Sequence, residues 1–131
     1  MEFLKQYRVL YKKAKSDLNV AKILWKKFES GEVELDLTII MFHLQQSAEK
    51  LLKALLAYNS LHYTKTHSIE KLIEVTETSN INLSKNIEKL IPLSDFAVEG
   101  RYSIILDDIE DVESHFEILD DFIIFVKKAI K

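Results

Sequence analysis

Residues 37–58 read LTIIMFHLQQSAEKLLKALLAY. Met41, Leu44, Ala48, Leu51, Leu55 and Tyr58 recur in steps of three and four, which lines them along one face of an α-helix, and Ile40, Leu52 and Leu56 widen that face. So broad an apolar stripe needs neighbours on more than one side. The segment is therefore predicted to be the central helix of a helical protein.

The flanking sequence keeps the same period. Phe3, Tyr7, Leu10, Ala14, Leu18, Ala21, Trp25 and Phe28 predict a first helix that stops near Gly31, where glycine can take the left-handed backbone that closes a helix. After the central helix, Thr66 or Ser68 caps a shorter third helix with Ile69, Leu72, Ile73 and Thr76 inward, ending near Asn80. A fourth begins at Asn82 or Ser84 with Leu83, Ile87 and Leu90 inward, and Pro92 must kink or break it, because proline has no N–H to give to a helical hydrogen bond. Asp107 with Glu110 three residues later has the form of a capping box and opens a fifth helix whose stripe is Val112, Phe116, Leu119, Ile123, Val126 and Ile130. The expectation is all-α: an antiparallel up-and-down bundle of four long helices plus one short helix, a single domain over residues 1–131. Two glycines and one proline in the whole sequence suit long helices better than tight-turned strands.

Composition narrows the function classes. Cysteine is absent, which removes disulfides, thiolate catalysis and cysteine zinc sites, and fits a reducing cytoplasm. Met1 to Lys5 is amphipathic, unlike a signal peptide, and no stretch approaches the roughly 18 apolar residues that span a bilayer. A cytoplasmic location with no membrane contact is expected. Net charge is −3, but unevenly placed: residues 1–30 hold eight Lys/Arg against three acids, and residues 95–121 hold ten acids against Arg101 alone. Two neighbouring helices with attracting solvated faces account for this simply. The segment 122–126, Phe-Ile-Ile-Phe-Val, is apolar on every side and calls for a dimer contact or burial between two neighbours.

Phe42 to Leu56 (FHLQQSAEKLLKALL) resembles the second-helix signature of HEPN domains, in the branch paired with minimal nucleotidyltransferases. Ser16-Asp17-Leu18 with Ala21 resembles that family's first-helix pattern, and Lys65-Thr66-His67-Ser68-Ile69 the start of its third helix. Ala97 with Arg101-Tyr102-Ser103 resembles its Ala…Arg-Tyr-Pro stretch, with Ser103 in place of proline. The resemblance implies a helical bundle, frequent dimerisation, and work on nucleotides or RNA beside a nucleotidyltransferase, often in toxin–antitoxin pairs.

Many such proteins are ribonucleases that use an arginine, four to six intervening residues and a histidine, the cation steadying a phosphate and the imidazole moving a proton. Here the corresponding positions after Arg8 hold Lys13, Ala14 and Lys15, and those after Arg101 hold Leu106, Asp107 and Asp108. The usual ribonuclease pair is therefore missing.

Among candidate site residues, Gln45, Glu49 and Lys53 repeat every four residues and Lys50 extends them, giving either a polar stripe beside a cleft or an exposed face joined by a Glu49–Lys53 pair. Spacing alone favours the exposed face; the resemblance gives weight to the cleft. Arg101-Tyr102 joins a planar cation to an aromatic ring, suited to a phosphate and a base, or to capping and packing. His67 lies near a helix N-terminus, where it can meet a phosphate or tie down its loop. Lys5, Arg8, Lys12, Lys15, Lys22 and Lys26 form a basic edge on the first helix, without the interleaved aromatics of a base-stacking surface, so RNA is disfavoured there. No cofactor or metal is expected. A Walker loop, a glycine-rich dinucleotide turn and a His-Glu-x-x-His pair are all missing, no two histidines stand three or four residues apart, and the acids Asp107, Asp108, Glu110 and Asp111 suit helix capping.

The sequence thus points to a noncatalytic module that binds a nucleotide or a minimal nucleotidyltransferase through Gln45, Glu49, Lys50, Lys53, His67, Arg101 and Tyr102, as a homodimer. The alternatives are an atypical ribonuclease or toxin subunit built on Arg101 and His67, and a ligand-free dimerisation module.

Overall fold

The computed structural model describes residues 2–63, 65–97 and 110–130, and of residues 2–5, 110 and 111 the backbone alone. Among these residues four α-helices and one 3₁₀ helix follow one another: α1 (Glu2–Glu29), α2 (Leu37–Tyr58), α3 (Ile69–Thr78), the 3₁₀ helix (Lys85–Phe96) and α4 (Glu110–Ala129). Among the described residues there is no strand, and no helix is long and apolar enough to cross a membrane.

α2 lies at the centre, packed against α1, α3, the 3₁₀ helix and α4. Its apolar stripe wraps far enough round to bury Ile40, Leu44, Leu51, Leu52, Leu55 and Leu56 completely. Each such side chain contributes about 2 kcal/mol of hydrophobic stabilisation. The closest partner is α1, whose small Ala14 and Ala21 are fully buried. The two backbones come near enough for Ser47 Oγ to donate to the carbonyl of Ala14 at 2.8 Å. Tyr7 meets Tyr58 edge to face, while Asp17 meets His43, so α1 and α2 run antiparallel.

Local chemistry sets the helix ends. Gly31 takes φ +78° just after α1. Asp36 caps α2 by accepting from Thr38 N at 3.0 Å and from its hydroxyl at 2.7 Å. These bonds hold the Asp36 carboxyl below its ordinary pKa, outweighing the small opposing effect of burial. Ser68 caps α3 through Lys71 N, and Ser94 from the 3₁₀ helix accepts the N–H of Ile69, satisfying a second donor of the first turn.

The expected kinked fourth helix is instead a 12-residue 3₁₀ helix with Pro92 inside it. Its buried residues explain the winding: Ile87, Leu90, Leu93 and Phe96 stand at intervals of three. In a 3₁₀ helix, with about three residues per turn, they align along one edge, whereas in an α-helix they would drift off the core. Among the described residues there are therefore three long α-helices where four were expected. Gly100 and the Asp107 cap lie outside the described residues.

The segment 122–126 is not covered on all sides. Phe122 and Val126 are buried and Ile123 is half-buried, but Ile124 and Phe125 are exposed.

Candidate functional site

α2 carries two polar clusters on different faces of an otherwise apolar helix. The first grows from the four-residue repeat Gln45, Glu49, Lys53. Glu49 leaves only 6% of its side chain exposed, and three donors converge on its carboxylate. Gln45 Nε2 lies 2.9 Å from Oε1, Lys53 Nζ 2.9 Å from Oε2, and His67 Nδ1 2.9 Å from Oε1. An ionised carboxylate only accepts, so Nδ1 is the protonated nitrogen of His67 in this contact.

Burial of Glu49 works to raise its pKa, but the bonds from Lys53, Gln45 and His67, with the charge of Lys53, outweigh it and leave the carboxyl below its ordinary value. A buried carboxylate thus stays charged because the donors replace the water it lost. Gln45 is held rigidly: its amide also donates to the His67 carbonyl at 3.2 Å, and its oxygen accepts from Gln46 Nε2 at 2.7 Å.

The α2–α3 connection closes over this cluster. Lys53 Nζ lies 5.9 Å from the centre of the Tyr63 ring. Burial, and then the charge of Glu49, push the Tyr63 phenol above its ordinary pKa. His67 is the cluster's open member: 63% of its side chain is exposed although Nδ1 is tied to a buried acid. Nε2 has no hydrogen-bond partner among the described residues, so it is available to solvent or to a ligand. The reading of Glu49–Lys53 as an exposed surface pair is overturned, since the carboxylate is buried and shared among three donors.

The second cluster uses His43 and Lys50, seven residues and two turns apart, which face α1. Asp17 accepts from Lys50 Nζ at 2.6 Å and lies 3.0 Å from His43 Nδ1. Lys50 therefore does not extend the Gln45 stripe; it points to the other helix, because one residue step turns the chain about 100° around the axis. Sequence reasoning missed Asp17 and Tyr63 as members of these clusters. Asp17 carried a signal, as an acid beside Leu18 in a lysine-rich helix.

The structure brings together Gln45, Glu49, Lys53 and His67, and separates Lys50 from them. Arg101 and Tyr102 lie outside the described residues. On α1, Arg8, Lys12, Lys15 and Lys26 are exposed along the basic edge. Lys22 is paired with Asp120 of α4, so part of the charge asymmetry is spent between neighbouring helices. Among the described residues, no group of three His, Asp or Glu side chains is placed to hold a metal ion.

Comparison with known proteins gives a match to the family model described as HEPN domain, over residues 7–129. Among curated proteins and among solved structures, nothing matches.

Proposed function

Since the chain belongs to the HEPN domain family, a family of nucleotide-binding or ribonuclease-type modules, we propose that it is a nucleotide-binding module acting beside a minimal nucleotidyltransferase in a toxin–antitoxin pair, in the cytoplasm. The ligand engages the open side of the Gln45–Glu49–Lys53–His67 cluster, with Arg101 and Tyr102 contributing from the segment before α4.

One observation carries this reading. His67 has one ring nitrogen fixed by a buried carboxylate and the other available, at an exposure of 63%. Glu49 fixes the ring's orientation through Nδ1, so that in the imidazolium form Nε2–H donates to a phosphate oxygen in a set geometry. Exposed Lys65, two residues earlier, adds a cation within the same connection. Lys53 is committed to Glu49, so its part is to hold the carboxylate charged rather than to grip the ligand.

The test is paired titrations of ATP and of the nucleotidyltransferase against the wild type, Lys53→Met and Arg101→Ala. Both substitutions weaken ATP binding under this reading. If neither changes ATP affinity or partner affinity, the proposed site is wrong.

The same carboxylate–imidazole contact favours a second reading, an atypical ribonuclease in which His67 Nε2 moves a proton and Arg101 steadies the phosphate. RNA cleavage by the pure protein that disappears in His67→Ala would select it over the binding module.

A further inference from the structure

We propose that the cleft between the start of the 3₁₀ helix and α4 binds a small organic ammonium ion, seating its aliphatic body inside and holding its charge at the mouth beside Asp121. This site shares no residue with the Glu49–His67 cluster and does not depend on the function assigned there.

The cleft follows from packing two helices of different pitch. A 3₁₀ helix rises about 2.0 Å per residue and an α-helix about 1.5 Å, so side chains that interlock at one point fall out of step along the contact. The space left at the first turn of the 3₁₀ helix is about 80 Å³, room for one branched aliphatic group. Ile87, Ile118 and Phe122, all buried, form its floor. Half-buried Leu83 and the more exposed Phe125 complete the apolar wall, and the Phe122 and Phe125 rings stack with centres 6.2 Å apart. Two members of the apolar run 122–126 thus face this cleft.

The mouth is polar and carries one sign of charge. Ser84, Asn86 and Asp121 also line the cleft, and all three are exposed. Each has an oxygen able to accept a hydrogen bond: the Ser84 hydroxyl, the Asn86 amide carbonyl and the Asp121 carboxylate. No lysine, arginine or histidine lines the cleft. Asp121 joins no ion pair among the described residues, whereas its neighbour Asp120 is paired with Lys22.

This lining selects the occupant. Water is poorly held against isoleucine, leucine and phenylalanine, because a confined water needs about two to four polar partners. An aliphatic group gains there by leaving solvent. A phosphate or carboxylate would bring a second negative charge to Asp121 with no cation in the lining to offset it, so nucleotides and fatty acids are repelled. An ammonium supplies three N–H donors to the acceptors at the mouth and pairs with the carboxylate. A branched stem of about five carbons then occupies the apolar space. Two sources present this chemistry: a free aliphatic amine, and the N-terminal residue of another peptide chain.

Isoleucine-methyl NMR of the full chain, titrated with isoamylamine, tests this. The Ile87 and Ile118 methyl signals are expected to shift saturably, at about millimolar affinity for so small a ligand. Isoamyl alcohol has the same stem without the charge and should bind about fivefold more weakly, the worth of one exposed ion pair; isovalerate should give no saturable shift. Asp121→Asn, at an exposed position that leaves the fold intact, should make amine and alcohol bind alike. Leucyl-glycyl-glycinamide and its acetylated form separate the two sources. Binding by the free-amine peptide alone admits a chain N-terminus, and binding by isoamylamine without either peptide restricts the site to free amines; both uphold the proposal. No saturable shift at Ile87 and Ile118, an alcohol or isovalerate that binds as tightly as the amine, or an amine preference that survives Asp121→Asn would each overturn it.

Discussion

His67 reaches back across the α2–α3 connection to Glu49, placing Nδ1 2.9 Å from the carboxylate oxygen that also accepts from Gln45, while Lys53 donates to the other oxygen. This one contact fixes the connection, orients an exposed imidazole and keeps a buried acid charged. Most of what distinguishes the site from ordinary helix surface depends on it.

Removing the acid leaves Lys53 and the Gln45 amide facing a hole in the polar network. Glu49→Ala should lower unfolding free energy by about 3 kcal/mol, as expected when one member of a buried pair is deleted. Urea denaturation at neutral pH measures it.

The same carboxylate predicts an acid limb. Glu49 in the folded protein lies below its ordinary pKa of 4.5, so the folded state holds its proton less tightly than the unfolded chain. Its contribution to stability is complete above the ordinary value and is lost as pH falls through the lowered one. Glu49→Gln, already neutral, should show a smaller loss between pH 5 and pH 3 than the wild type, an interval taken from the usual carboxylate range of about 4. Denaturation curves at successive pH values read the difference.

Two ion pairs should separate by burial. Asp17 leaves 14% of its side chain exposed and serves both Lys50 and His43, so Asp17→Ala should cost about 2 kcal/mol. Asp120, 49% exposed and paired with Lys22, should cost less than about 1 kcal/mol in Asp120→Asn. Thermal unfolding of the two variants side by side decides it.

Gly31 offers a test of backbone alone. Its φ is +78° and an added Cβ would meet nothing within 4 Å, so Gly31→Ala should destabilise by about 1 kcal/mol through the left-handed conformation and not through a clash. Chemical denaturation supplies the number.

Much of this fold was legible in the sequence because amphipathic periodicity is a local signal. α2 runs from Leu37 to Tyr58, as its stripe predicts, and Ser68 caps α3. The 3₁₀ helix was misread because Ile87 and Leu90 satisfy either period. Only Leu93 and Phe96, beyond the proline, reveal the interval of three. Within the site, the four-residue spacing of Gln45, Glu49 and Lys53 correctly placed them on one face, but spacing does not tell a buried face from a solvated one. What buries Glu49 is the return of the chain through Tyr63 and His67, a tertiary event. Lys50 and Lys53 are alike in chemistry and three residues apart, yet one meets Asp17 of α1 and the other Glu49.

Calorimetric titration of ATP into the wild type and His67→Ala, both checked for native helicity, addresses the cluster's role most directly. Saturable binding by the wild type, weakened about tenfold in the variant by loss of a charge-assisted hydrogen bond, is the predicted result. Equal affinity in the two proteins, or no binding by the wild type, would contradict it.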